Sequence, residues 1–533
     1  MRLRSIREAA PVHDGLVIAA IFVVALLPLL STPLLPFIDL YNHLARYFVL
    51  AHLDQSPFLR QSYAANWSLL PNIGLDLLGT ALLRFLPPER AAHVVVITIF
   101  AAQYLGVLVF NRVLTGRISL IAAVQVVPLL YSFILNWGFA NFLFGLGLVF
   151  GAAAWWLGWR DRPWLGVPVA GLFAVAIFFC HGLDFMLYGI LVAALEVGLW
   201  AQRPVRRLAE LAAALVPVAV QAVVPILLFA AAATSRARDG LTNADASVDR
   251  LYHAGALGGR IWDLLCYRAV TVVRVAEGPS LAFDVIAFGI TFGVVVTLIA
   301  SGRVTIARLA WPALAAGVLL VVGTPPALFG VGYVADRMPL FLAMLFVGSL
   351  SGFEPADRIG RVALATLAGL TVVRLIAIAV GWQGYATDYQ AFRGLAAHVP
   401  RHSLVIDVMV GGNPRMSDTR RCAMYRPLMV SLDDIAAPLF ANETQQPLRL
   451  VGRLRRAVDA VPHGFARGSN SPGFYDDVIA AAGAAGFDYA LVCEARNLTR
   501  PLPSGTQVIS LTPRMILVRL RQSAPVPSVD MTG

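Results

Sequence analysis

Lysine is absent from this 533-residue chain, so all 42 basic residues are arginines. Genomic base composition is the simpler explanation of that bias, although a guanidinium also offers a forked set of donors to phosphate. Charge of either sign is scarce, at 14% of residues against about 25% in soluble domains. Only four cysteines occur, too few for a disulfide scaffold, and no zinc-type spacing joins them. The C-terminal region carries no Walker loop and no dinucleotide fingerprint, which removes the usual nucleotide-binding folds from consideration.

What the chain has is apolar surface: 58% hydrophobic residues and a mean hydropathy of +0.72. Runs of about 20 apolar residues, each long enough to cross a hydrocarbon core of roughly 30 Å, recur from Gly15 to Gly381. These runs predict a polytopic α-helical membrane protein of about eleven spans: 15–36, 91–111, 118–135, 140–158, 164–180, 184–200, 207–233, 282–300, 309–329, 338–352 and 360–381. Residues 1–383 then form a transmembrane domain, with outer loops 37–90 and 234–281. Residues 384–533 form a small α/β domain, disordered at its Pro-rich end. The formal net charge of +11 does not indicate nucleic acid, because the arginines sit in short loops between apolar runs.

Charge parity gives the orientation. Arg2, Arg4 and Arg7 precede the first run, which is read as a retained anchor with a cytoplasmic N-terminus. Counting 69–86 as a span would place Arg112, Arg117, Arg160 and Arg162 outside and invert the bias. Read as a juxtamembrane helix, it leaves those loops cytoplasmic and the C-terminal domain periplasmic, at a bacterial inner membrane.

That orientation gathers the polar motifs on the outer face. Asp39, Asn42, His43 and Arg46 have i, i+3, i+4, i+7 spacing and share one helix face just after the first span. An interfacial amphipathic helix pairing its own charges accounts for the same pattern. Asn72 and Asp76, the turn Asn136 to Asn141, the His181 and Asp184 turn, and Asp336 with Arg337 also fall outside.

A first span, a loop acid and juxtamembrane helices are followed by Pro71-Asn72, by the stretch Leu82 to Ala92, and by a span ending in Asn111 to Arg117. This layout resembles the GT-C superfamily of polyprenyl-phosphate-dependent glycosyltransferases, most clearly over the first 160 or so residues. The resemblance implies an essential acid in the first outer loop, at Asp39, acting as a base or within a metal site. Asp39 is flanked by Ile38 and Leu40 instead of a second acid, so no cofactor is assigned; a divalent cation is compatible with the pattern.

For transfer from a lipid-phosphate sugar to a hydroxyl, a carboxylate takes the acceptor proton and cationic donors stabilise the departing phosphate. Asp39 suits the first task, and Arg46 with His43 suits the second. Arg46 reads equally as an arginine snorkelling to headgroups, and His43 as a structural hydrogen-bonding residue.

Asn42, Asn72, Asp76, Asn136, Asn141, His181, Asp184, Arg268 and Arg337 are further substrate-binding candidates. Each also has a structural reading as a cap, a turn residue or an ion-pair partner. Arg268 belongs to an outer loop rich in arginine that includes Arg236, Arg238, Arg250 and Arg274. Arg374 is expected inside the last span, where ionisable groups are costly and usually paired or functional. Cys422 and Cys493 share the outer compartment, where an oxidising environment permits pairing.

Two functions fit. One is an inverting glycosyltransferase moving a sugar from a polyprenyl-phosphate-linked donor to a cell-envelope lipid or glycan acceptor, among membrane lipids and without nucleic acid. The alternative is a non-enzymatic binding or transport protein for lipid-linked glycans. The chain has no internal repeat of the kind transporters often carry, which favours the enzyme.

Overall fold

The computed structural model describes residues 12–232, 257–326, 328, 332–355, 357–410, 424–439, 446–461, 474–495, 498 and 500–520. The expected outer-loop residues Arg236, Arg238 and Arg250, together with Cys422 and the Pro-rich end, lie outside these. The chain divides into two compact units: Met1–Phe37, Trp67–Leu78 and Glu89–Gly384 in the first, and Ile38–Asn66, Gly79–Pro88 and Tyr385–Gly533 in the second.

The first unit is a bundle of apolar helices, and the chain is a polytopic helical membrane protein. Among the described residues eight helices are long and apolar enough to cross a membrane: Pro88–Thr115, Leu120–Trp137, Ala140–Trp159, Pro163–Cys180, Gly182–Ala201, Leu208–Ala231, Leu281–Ala300 and Arg358–Ala396. Three more of the expected eleven are short. The run 15–36 is helical only over Val12–Ala25 and Leu27–Leu30, because Pro28, Pro33 and Pro36 interrupt it. Trp311–Gly323 and Val334–Gly348 have 13 and 15 residues. At 1.5 Å per residue each reaches only about 20 Å. The segment 69–86 contains a helix of nine residues, Gly74–Leu82, also too short to cross alone.

In lipid there is no hydrophobic gain from pairing two apolar helices, so close packing and polar contacts must hold the bundle. Gly106 and Gly147 let two helix backbones approach closely: a Cβ on Gly106 would lie 2.2 Å from the Gly147 carbonyl oxygen. One turn away, Gln103 donates to the Leu143 carbonyl at 3.0 Å. Asn111 donates to the carbonyls of Gly348 and Leu350, and its oxygen accepts the Ser119 N–H. Glu196, buried, accepts from Trp156 Nε1 at 2.8 Å and twice from Arg160. Arg374 pairs with Asp284 at 2.8 Å and donates to the Ala276 carbonyl, with Asp284 also accepting the Gly278 N–H. A short antiparallel pair, β2 (Thr305–Ile306) with β3 (Leu350–Ser351), borders this unit's core.

The second unit is α/β. Its sheet has the order β4 (Val405–Met409), β6 (Tyr489–Cys493), β8 (Met515–Arg519), β7 (Gln507–Leu511). β4 and β6 run parallel, with Val405 opposite Tyr489; the other pairs are antiparallel. β6 is buried at every position, which its unbroken apolar sequence demands of a central strand. Cys493 is disulfide-bonded, whereas Cys180 and Cys266 are free. Segments distant in sequence complete the unit. β1 (Tyr63–Ala65) pairs with β5 (Leu448–Leu450), and the helix Leu40–His52 packs against Tyr425–Leu432. The Tyr63 hydroxyl donates to the Ala437 carbonyl at 2.6 Å and accepts the Ala437 N–H.

Candidate functional site

The acid and its neighbours occupy the Leu40–His52 helix of the second unit. Asp39 is the N-cap residue, but its carboxylate makes no capping bond to that helix. Its carbonyl accepts the His43 N–H at 3.0 Å, which starts the helix and sets the spacing of the polar face. Asp39 is half-buried; Asn42, His43 and Arg46 are buried, Arg46 completely.

Arg46 Nη2 lies 3.0 Å from His43 Nδ1. A guanidinium only donates, so Nδ1 accepts and the ring's proton sits on Nε2. Burial, reinforced by the Arg46 charge, lowers the His43 pKa well below its ordinary value and keeps the ring neutral near pH 7. Arg46 also lies over the Tyr47 ring, 5.4 Å from its centre. That ring occupies space a side chain at position 79 would fill, since a Cβ on Gly79 would meet it at 2.1 Å. Arg46 is thus held between an imidazole and a phenol. Sequence reasoning missed Tyr47 and Gly79; the aromatic directly after Arg46 was the one available signal.

The remaining candidates belong to the first unit and form two groups. In the first group Asn141 joins the loop ahead of Gly74–Leu82: its oxygen accepts the Leu75 N–H at 2.8 Å, and its amide donates to the Asn72 carbonyl. Asn72 has a left-handed backbone at φ 75°, which asparagine tolerates better than most residues. Asp76 follows in the first helical turn, fully buried, where the helix dipole favours a carboxylate. His181 caps the helix Gly182–Ala201 by accepting the Leu183 N–H at Nδ1, and its Nε2 faces Arg337 Nη1 at 3.2 Å. A neutral imidazole accepts at one nitrogen only, so the cap and the arginine compete for a single lone pair.

Arg337 lies over Phe139 and Phe142, with its guanidinium carbon 4.5 and 5.2 Å from the ring centres. Asp184 is fully buried, and among the described residues neither carboxylate oxygen has a hydrogen-bond partner. Gly145 makes room for it: a Cβ there would stand 2.2 Å from Oδ2.

In the second group Arg268 donates to the Thr324 carbonyl and lies over Tyr267, whose hydroxyl donates to Asp336 at 2.6 Å. Asn136 donates to Glu277 at 2.7 Å, and Glu277 also pairs with Arg274, which lies over Phe133. Glu277, Tyr267 and the phenylalanines were not singled out from the sequence.

Among the described residues no three His, Cys, Asp or Glu side chains converge as metal ligands would. His181 and Asp184, three positions apart, are joined by no third side chain of those types among the described residues. No protein-family model matches this chain, and no curated protein or solved structure matches it either.

Proposed function

We propose that the chain is a GT-C-type glycosyltransferase that moves a sugar from a polyprenyl-phosphate carrier to a cell-envelope lipid or glycan. The observation that carries this reading is the buried face of the Leu40–His52 helix, where Asp39 precedes a completely buried Arg46 held by His43. Burying a guanidinium in an apolar protein is costly, and a role in charge stabilisation accounts for the cost.

In this reading the acceptor oxygen attacks the anomeric carbon from the face opposite the phosphate. The bond from that carbon to the phosphate oxygen breaks, and the polyprenyl phosphate leaves with the electron pair. The acceptor proton passes to the Asp39 carboxylate. Arg46 donates to the departing phosphate, and His43 orients Arg46 by accepting one of its N–H groups.

A cytoplasmic N-terminus and a periplasmic second unit at a bacterial inner membrane complete the proposal. Arginine bias in the short loops supports that orientation, as does the Cys493 disulfide, since disulfides persist in oxidising compartments.

The test is Asp39→Asn, purified beside the wild type and assayed for sugar transfer from polyprenyl-phosphate donors. Retained donor binding with turnover down by about 100-fold or more fits a general base. Undiminished turnover removes Asp39 from that role, and donor binding without transfer by the wild type itself favours the transport alternative.

A further inference from the structure

An apolar cavity of about 460 Å³ lies within the first unit. It runs from the β2–β3 pair, where Ile306 and Leu350 line it, to Val272 and Ala276 at its other end. Among the described residues its polar lining is Gln125, Thr291, Thr371 and Arg374, besides the Trp311 indole, and Arg374 is already engaged by Asp284 and the Ala276 carbonyl. So apolar a space gives water too few partners to hold it there.

Phe292, Val296, Trp311 and Val318 line the cavity and are also large exposed apolar side chains. The cavity therefore opens sideways, between Leu281–Ala300 and Trp311–Gly323, among side chains that would face hydrocarbon.

Beyond Val272, and outside the lining itself, lies Arg268. Arg268 precedes the lining residue Val272 by four positions and so lies one turn along the same helix face. Its Nη2 donates to Thr324, the residue after the helix whose Trp311, Leu314 and Val318 line the wall. Among the described residues, Arg268 Nε and Nη1 are buried with no hydrogen-bond partner. Two unpartnered guanidinium nitrogens beyond an apolar cavity match a phosphate joined to a hydrocarbon chain.

We propose that the cavity holds a hydrocarbon chain of a phosphate-headed lipid drawn from the bilayer, with the phosphate on Arg268. A polyprenyl phosphate in this place would be the carrier of the transferase reading and rests on it; a bilayer phospholipid there goes beyond that reading, because its retention requires no sugar transfer.

The full chain in detergent micelles is titrated with phosphatidylglycerol, a polyprenyl phosphate, dioleoylglycerol and glycerol phosphate, and retained ligand is read by native mass spectrometry. Retention of either phosphate lipid at least about tenfold above the other two probes supports the site and names the source of its ligand. Arg268→Gln and Ala343→Leu, which fills the cavity, each lower retention by about tenfold, whereas Leu319→Trp, on the exposed side of its helix, does not. Val318→Trp serves as a second filling variant should Ala343→Leu fail to fold. Equal retention of dioleoylglycerol, equal binding of glycerol phosphate, or full retention in a folded filled variant or in Arg268→Gln overturns the proposal.

Discussion

Arg46 and His43 lie one helical turn apart, their side chains joined at 3.0 Å where both are buried. The contact fixes the imidazole tautomer and the direction of the guanidinium together, so changing either residue disturbs both. His43→Ala is expected to lower turnover with the donor still bound, and His43→Gln, whose amide oxygen can accept from Arg46, to recover part of it. Equal losses in the two variants would sink the positioning role.

Acid should weaken the wild type more than His43→Gln. The folded pKa of His43 is lowered by burial and by Arg46, so as pH falls below about 6.5 the unfolded chain takes up the proton first. The stability difference between the two proteins is therefore constant above that pH and shrinks below it. Thermal melts in detergent from pH 8 to pH 5 check the sign.

Gly145→Ala places a methyl 2.2 Å from Asp184 Oδ2 and 3.0 Å from Cys180 Cβ. Overpacking of this kind costs about 1–3 kcal/mol. Gly151→Ala, on the same helix with nothing within 4 Å, is the control and should melt with the wild type.

Arg374→Gln leaves the Asp284 carboxylate buried without its cation, at a cost of about 3–5 kcal/mol. Arg374→Met combined with Asp284→Leu is expected to regain most of that loss. A double variant as unstable as the single one would show that packing, not the charge pair, dominates there.

Asn141→Ala removes the partners of the Leu75 N–H and the Asn72 carbonyl and should cost about 1–3 kcal/mol. If the residue serves only the loop, donor KM in the folded fraction stays unchanged. A raised KM with an unshifted melt would assign it to substrate instead.

The membrane helices were legible because runs such as Leu281–Ala300 are apolar throughout, and β6 because Tyr489–Cys493 is an unbroken apolar run. The first span was over-extended: Pro28, Pro33 and Pro36 were visible in the sequence, but hydropathy averages across them. The Asp39 to Arg46 face followed from helical spacing alone. The contact of His181 with Arg337 did not, since 156 residues separate them and only tertiary packing brings them together. Nor did spacing reveal that Asn141 is committed to a distant backbone, or that Gly145 exists to admit a carboxylate.

The Tyr63 hydroxyl meets a carbonyl 374 residues further along the chain. At roughly 5–20 residues per second, synthesis needs about 20–75 s to reach that partner. The segment bearing Asp39 and Arg46 thus leaves the ribosome long before Tyr425–Leu432, its packing surface. During that interval the nascent chain has most of its helices but not this face, so a chain terminated before residue 425 should insert without assembling the site.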